Sequence, residues 1–252
     1  MTRTMLKLFL LFSLLLSITL AEAQEGTPIQ KIERYFPDEV GMKWSYRGSV
    51  ADQVQRVASY VNNAAVKGTV EKKGVQVKVF TESNQSNEGP AESYFFRDKE
   101  GISYYGGDPT TPFESQLVPY RVIRFPVSLQ KPFSQLDKKV SFGKDLDEDG
   151  TEEEAEVHAE IIAKGFETIS VPAGTFKDAL KLEGTMLIHI TLSGSHKVVL
   201  MTDKTTNWFA PDVGMVKGIE RTEFPSIDGG NPTGTIVTEE LTEFIKDRSS
   251  SH

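Results

Sequence analysis

The stretch Glu183–Gly194, EGTMLIHITLSG, decides the fold class. Its long apolar side chains fall on every second position, at Met186, Ile188, Ile190 and Leu192. Successive side chains of a β-strand point to opposite faces of the sheet, so a period of two is typical of a strand with one face on the core. The stretch ends at Ser193-Gly194, a turn signal. It therefore predicts one strand of an antiparallel sheet.

Similar short runs occur along most of the chain, separated by clusters of Gly, Asp, Asn and Pro. Val75, Val77 and Val79, for example, alternate with Gln and Lys. Many short strands at regular spacing predict an all-β, antiparallel and strongly curved sheet. A half-barrel, a barrel and a sandwich all satisfy the pattern. One or two short helices are predicted, over Ile29–Tyr35 and Thr175–Leu180.

The start of the chain has the features of a secretory signal peptide. Arg3 and Lys7 precede the apolar run Leu8–Leu20, and Ala21-Glu22-Ala23 gives the small-x-small cleavage pattern. The run is shorter than the ~20 residues that span a bilayer. We expect a signal peptide at 1–23, a single β-rich domain at 24–245 and a disordered tail at 246–252. The mature protein would be periplasmic or extracellular, with no membrane span after cleavage.

Composition excludes several classes of function. The chain of 252 residues has no Cys, which rules out disulfides, thiolate nucleophiles and zinc-thiolate sites. Its net charge of −8 disfavours binding to nucleic acid. We find no G-x-S-x-G, H-E-x-x-H, phosphate-binding loop or dinucleotide-binding motif, so no catalytic residue and no organic cofactor is predicted.

Three segments, in this order and spacing, resemble a known group of proteins. They are Tyr35–Tyr46 (YFPDEVGMKWSY), Val171–Leu182 (VPAGTFKDALKL) and Trp208–Lys217 (WFAPDVGMVK). Exported bacterial β-rich proteins of unknown function share a YFPxxxGxxWxY opening, a VPAGTF motif and a late WxAxxVGxVK motif. The chain departs from the group at Asp38, where Leu is usual, and at Phe209-Ala210-Pro211. The resemblance implies an extracytoplasmic, β-rich protein and implies no activity.

The aromatic residues in these segments allow two interpretations. Trp44 and Tyr46 share one parity of a strand, so both rings can pack on the same face of the sheet. Trp44, Tyr46, Trp208 and Phe209 would either form a wall on which a ligand stacks or serve as core and corner aromatics. Core burial is the expected role, since aromatic side chains dominate the burial of any domain.

The segment Asp145–Glu156, DLDEDGTEEEAE, fits the calcium-loop pattern D-x-D-x-D-G-x5-E. Calcium takes six to eight oxygen ligands, and this spacing can wrap carboxylates around one ion. The predicted metal ligands are Asp145, Asp147, Asp149, the Thr151 carbonyl, Glu153 and Glu156. The flanks, Lys138–Lys144 and Val157–Ile162, have strand rather than helix patterns, which disfavours an EF-hand. A solvated hairpin tip is the alternative.

Two functions follow from these patterns. The first is a non-catalytic exported protein that binds a cell-envelope component or a hydrophobic ligand, with a lipid, a polymer or an envelope protein as partner. The second is an extracytoplasmic hydrolase that uses carboxylate acid/base chemistry. The largest cavity discriminates between them. A deep apolar cavity favours the carrier, whereas two facing carboxylates with raised pKa values favour the hydrolase.

Overall fold

The computed structural model describes residues 26, 28–52, 57–227 and 230–246. The predicted signal peptide and residues 247–252 of the predicted tail lie outside the described residues. The strands run as β1 (Lys43–Asp52), β2 (Val57–Lys72), β3 (Val75–Glu82), β4 (Ala91–Asp98), β5 (Gly101–Asp108), β6 (Tyr120–Arg124), β7 (Phe133–Ser141), β8 (Glu154–Val171), β9 (Gly174–Thr191), β10 (Val198–Ala210), β11 (Gly214–Phe224) and β12 (Thr233–Ile245). Among the described residues, one α-helix occurs, α1 (Pro112–Leu117).

The described strands form one 12-stranded sheet, in the order β6-β5-β4-β3-β2-β1-β12-β11-β10-β9-β8-β7. Every neighbouring pair is antiparallel, and the sheet curls until it is nearly closed into a barrel. The all-β prediction is confirmed. Described strands that pair with each other are consecutive in the chain, except for the pairing of β1 with β12. No helix among the described residues is long and apolar enough to cross a membrane.

Two segments of irregular chain pack beside β8, at the part of that strand that lies beyond its pairing with β7. The N–H of Ile29 donates to the Val127 carbonyl at 2.8 Å, and the N–H of Gln130 donates to the Ala163 carbonyl at 2.8 Å. Ile29, Val127 and Ala163 belong to one buried apolar cluster together with Leu180 and Leu182. These segments therefore protect a sheet edge that would otherwise be open to another strand.

The helix predictions were partly wrong. Ile32–Tyr35 forms a single 3₁₀ turn within the predicted Ile29–Tyr35 helix. Thr175–Leu180 is not helical, because Gly174 pairs with Val171 across a tight turn and commits the following residues to β9. The α-helix lies instead at α1, within a stretch with no predicted helix.

A recognisable signal in the sequence marks the start of α1. The Thr111 side chain accepts a hydrogen bond from the N–H of Glu114 at 3.1 Å, and Pro112 occupies the first turn. Thr followed three residues later by Glu is the pattern of a helix capping box, and Pro is favoured at the first helical position.

The segments Tyr35–Tyr46, Val171–Leu182 and Trp208–Lys217 meet at one corner of the sheet. The Trp44 indole donates to the Val213 carbonyl at 2.6 Å, and the Tyr46 hydroxyl donates to the Met215 carbonyl at 3.0 Å. The turn between β8 and β9 donates a backbone N–H to the Leu241 carbonyl at 2.9 Å. Residues far apart in the chain thus fix the angle at which β1, β9, β11 and β12 come together.

We predict that Leu241→Ala destabilises the fold strongly. Leu241 lies in β12 opposite Tyr46 and is completely buried, so truncation leaves a cavity at the β1–β12 pairing and costs about 2–5 kcal/mol. Leu200→Ala is the matched control, because Leu200 is 40% exposed and its loss should cost under about 1 kcal/mol. Urea denaturation measures both values, and equal losses would contradict the role assigned to this pairing.

Candidate binding cavity inside the curved sheet

The concave face of the sheet encloses a cavity of about 420 Å³. All twelve described strands contribute residues to its lining. Most of the wall is apolar, as in the side chains of Trp44, Phe80, Phe95, Ile123, Ile161 and Leu182. A volume of this size is in the range of pockets that take small ligands.

Aromatic rings form a continuous surface along one side of the cavity. The ring centroids of Trp44 and Phe80 are 6.4 Å apart, and those of Phe80 and Phe95 are 5.4 Å apart. Phe95 lies 5.4 Å from Tyr104 in the next strand. These rings offer a broad apolar surface that keeps its shape, because most of them are also packed into the sheet.

The four aromatic residues singled out in the sequence have different roles. Trp44, Tyr46 and Phe209 line the cavity. Trp208 lies on the opposite face of β10, where its indole donates to Glu167 at 2.9 Å and the Lys181 ammonium lies 5.5 Å from its ring centroid. The aromatic part of the wall therefore combines motif residues with Phe80 and Phe95, which the sequence motifs do not include.

A buried polar network interrupts the apolar wall. Asn62 is only 1% exposed, and its amide nitrogen donates to Glu82 at 2.9 Å and to Glu239 at 3.1 Å. The Tyr60 hydroxyl donates to the same Glu239 oxygen at 3.0 Å. Asn62 thereby uses both of its amide hydrogens and holds two carboxylates close together in the cavity wall.

The network is possible because Gly48 has no side chain. Gly48 of β1 lies opposite Tyr60 on one side and Glu239 on the other. A Cβ atom at this position would lie 2.1 Å from the Tyr60 ring. The Tyr60 ring therefore lies flat across β1 and reaches from β2 to a carboxylate on β12. Position 48 therefore requires glycine, because any other residue would place its Cβ atom against the Tyr60 ring.

Burial raises the pKa values of the carboxyl groups in this region. Loss of solvent is the largest cause for Glu82 and for Glu239, and the Glu239 charge adds to the effect at Glu82. The pKa of Glu220, on the neighbouring strand, is raised to about 7 by burial and by the charges of Asp203, Glu88 and Glu239. Burial also raises the pKa of Asp203, whose Oδ1 atom is buried without a hydrogen-bond partner.

One basic side chain lines the cavity among the described residues, and it is already paired. The Arg97 guanidinium lies 3.1 Å from a carboxylate oxygen of Asp38 and donates to the Phe36 carbonyl. Within the part of the chain that the structure describes, Glu82, Asp203, Glu220 and Glu239 have no basic partner. The interior is therefore apolar with a strip of excess negative charge.

The predicted calcium loop joins β7 to β8, at one end of the sheet. Asp145, Asp147 and Asp149 each place one carboxylate oxygen within 4.8 Å of the others. The Asp145 carboxylate accepts backbone N–H groups from Asp149 and Gly150, at 3.2 and 2.7 Å. One oxygen of Asp147 accepts the N–H of Gly194 at 3.1 Å, and the other is buried without a partner.

The other three predicted ligands are placed differently. The Thr151 carbonyl accepts the Ser193 hydroxyl at 3.5 Å, close to the three aspartates. Glu153 is fully buried, and its two oxygens accept the N–H groups of Leu146 and Ser193 at 3.1 and 2.6 Å. Glu156 lies on the exposed face of β8, opposite Lys139. Glu153 thus fixes the loop from within, and Glu156 lies apart from the three aspartates.

Sequence reasoning missed the polar network in the cavity, although one signal was present. Tyr60, Asn62, Ala64 and Val66 share one parity of β2, so a polar residue occupies a position in a core-facing row. A buried amide needs partners, which predicts polar side chains on neighbouring strands. Glu82 and Glu239 are far apart in the chain, and the pairing that brings them together has no local signature.

Comparisons with known proteins found only distant similarity to this chain. No protein-family model matches the chain, and no curated protein matches it in sequence. A Bacteroides fragilis protein, provisionally named an exported protein with a YmcC-like fold, is 14% identical over 84% of this chain and 98% of its own, with a TM-score of 0.39. A Parabacteroides distasonis protein, provisionally named a lipoprotein, is 18% identical over the same shares, with a TM-score of 0.38. No function is carried over from either protein.

We predict that Glu220→Gln stabilises the protein at alkaline pH. Because the pKa of Glu220 is raised in the folded state, its protonated form contributes to the free energy of unfolding. This contribution is fully present below about pH 4.5 and is lost as the pH rises through about 7. The neutral amide avoids this loss, so at about pH 8.5 the variant should gain roughly 1–3 kcal/mol over the wild type, and near pH 4 little.

Urea denaturation at the two pH values measures this difference. Glu243→Gln, at an exposed position of β12, is the control and should change little at either pH. A Glu220→Gln gain that is the same at both pH values would show that burial does not control the titration of Glu220.

Proposed function

We propose that the protein is exported and holds a small amphipathic molecule in the cavity of its curved sheet. The observation that supports this most directly is the composition of the wall, in which rings and aliphatic side chains surround a few hydrogen-bonded polar groups. Binding pockets for small molecules have this composition, because the apolar surface supplies affinity and the polar groups fix orientation. The signal-peptide pattern supports a location outside the cytoplasm.

The cavity favours binding over catalysis. None of the described histidines lies in its wall, and the residues that line it include no serine or lysine nucleophile. The donors of the polar network, Tyr60 and Asn62, are bound to carboxylates within the protein. An apolar molecule would instead find Trp44, Phe80 and Phe95 on one side and Ile161 and Leu182 on the other.

We predict that Ala64→Phe blocks ligand binding. Ala64 lies in the cavity wall between Trp44 and Glu82 on the neighbouring strands, so a phenyl ring at this position would occupy the cavity. The neutral dye N-phenyl-1-naphthylamine should become fluorescent on binding to the wild type, because it enters an apolar site. The variant should lose this response.

Ala58→Phe is the matched control for this experiment. Ala58 lies in the same strand at an exposed position, so the same substitution adds a phenyl ring outside the cavity. Ala58→Phe should bind the dye as the wild type does. Binding that survives Ala64→Phe, in a variant whose circular dichroism is unchanged, would place the dye elsewhere and contradict the proposal.

A hydrolase is a second candidate, and one observation favours it. Glu82 and Glu239 face each other across Asn62, and burial raises the pKa values of both. Acid/base hydrolysis of glycosides uses a pair of carboxyl groups, one of which is protonated. Turnover of nitrophenyl glycosides that is lost in Glu82→Gln and kept in Glu243→Gln would favour this function over the carrier.

We also propose that the acidic loop holds a calcium ion through Asp145, Asp147 and Asp149. Carboxylate oxygens are the ligands that calcium prefers, and one oxygen of Asp147 is buried with no other partner. The ion would fix the end of the β7–β8 hairpin against the turn that contains Ser193 and Gly194. Its role would be structural, because the loop contributes no residue to the cavity wall.

We predict that calcium raises the melting temperature and that Asp147→Asn removes the effect. Weak extracellular sites bind calcium at about 10⁻⁴–10⁻³ M, and a hundredfold excess over the dissociation constant adds about 2.7 kcal/mol of stability. Magnesium should stabilise less, since it demands stricter octahedral geometry. Glu148→Gln, which removes one charge from the same loop, is the matched control. A wild type that shows no calcium binding by calorimetry would leave the loop a solvated hairpin tip.

A further inference from the structure

We infer that the molecule held in the cavity carries a positively charged nitrogen, as in an alkylammonium or a quaternary ammonium amphiphile. This inference rests on the proposed binding function and specifies the chemical class of the ligand. It is carried by three features of the interior, namely a strip of carboxylates without basic partners, free carboxylate oxygens beside the cavity, and aromatic rings in its wall.

The charges on the inner face are strongly unequal. Glu82 and Glu239 line the cavity, and Glu220 lies one strand from Glu239, beside Thr205 of the wall. Asp203 follows on the same face of β10, two residues from Thr205. Of the described basic residues only Arg97 lines the cavity, and Asp38 already neutralises it. A cation is the group that would balance this strip.

The two wall carboxylates retain acceptor capacity. The described hydrogen bonds to Glu82 and Glu239 each end on one oxygen, Oε2 of Glu82 and Oε1 of Glu239. The second oxygen of each group accepts no hydrogen bond from the described residues, and neither oxygen is among the fully buried atoms that lack a partner. An ammonium group between them would donate charge-assisted hydrogen bonds to both, which are about twice as strong as neutral ones.

The aromatic wall favours the same class of ligand. Trp44, Phe80 and Phe95 present rings to the cavity that also contains Glu82 and Glu239. The faces of aromatic rings attract cations, and tryptophan attracts them most strongly. Rings beside carboxylates are the combination by which proteins recognise alkylated ammonium groups, whereas an anionic head would be repelled. The aliphatic side chains of Ile161 and Leu182 complete a site for the alkyl chain.

Three probes that share an octyl chain test this inference by calorimetry at pH 8. Octylammonium should bind at least about tenfold more tightly than 1-octanol, and octanoate should bind most weakly. If 1-octanol and octylammonium bind equally well, the charge inference is wrong and the proposed binding function stands. If none of the three probes binds, the proposed function itself is wrong.

Carboxylate variants locate the source of the preference. Glu82→Gln and Glu239→Gln should each reduce octylammonium affinity and leave 1-octanol affinity unchanged, while Glu243→Gln on the outer surface should change neither. A preference that survives in both cavity variants would overturn the assignment to these groups.

A measurement on the unmodified protein covers the case in which a variant fails to fold. From pH 8 to pH 5, Glu220 becomes protonated because its pKa is raised to about 7, and the raised pKa values of Glu82 and Glu239 shift these groups in the same direction, whereas octylammonium keeps its charge. The groups that face one another here are Glu82, Glu88, Asp203, Glu220 and Glu239, with the Tyr46 and Tyr60 hydroxyls beside them. At pH 5 the affinity for octylammonium should be lower than at pH 8, and the affinity for 1-octanol should be unchanged. A ratio of the two affinities that is the same at both pH values would contradict the inference.

Discussion

The pairing of β1 with β12 is the constraint on which the rest of the structure depends. Every other neighbouring pair of described strands is also adjacent in the chain, so those pairs can form as local hairpins. Lys43–Asp52 must instead find Thr233–Ile245 across nearly the whole length of the protein. Two six-stranded halves become one curved sheet only through this contact, and the cavity lies between them. Such long-range closure is entropically costly and needs strong local anchors.

The polar network of the cavity is built across the same pairing. Tyr60 and Asn62 come from one half of the chain, and Glu239 comes from the other. The Tyr60 ring crosses β1 at Gly48, where the absence of a Cβ atom leaves room for it. Carboxylates that are buried without basic partners weaken a fold. Their retention beside a cavity is typical of a functional site, where stability is sacrificed for binding or catalysis.

The sequence predicted the class of fold because strand periodicity is a local property. Alternation at Met186, Ile188 and Ile190 places one face of β9 on the core, whatever the final topology. The helix predicted at Thr175–Leu180 failed because the hairpin turn before it determines its conformation. The three aspartates of the loop came together because they are close in the chain. The cavity network depends on register between distant strands, so no local pattern in the sequence distinguishes Glu82 and Glu239 from surface carboxylates.

The most direct test of a filled cavity is native mass spectrometry of the protein purified from its source without detergent. We expect a mass above that of the bare chain, and dissociation of the complex should release a small amphipathic molecule with a basic nitrogen. A protein that retains only an acidic lipid would contradict the charge complementarity of the interior. A protein that is recovered only as the bare chain, under conditions that preserve weak complexes of other binding proteins, would contradict ligand binding in the cavity.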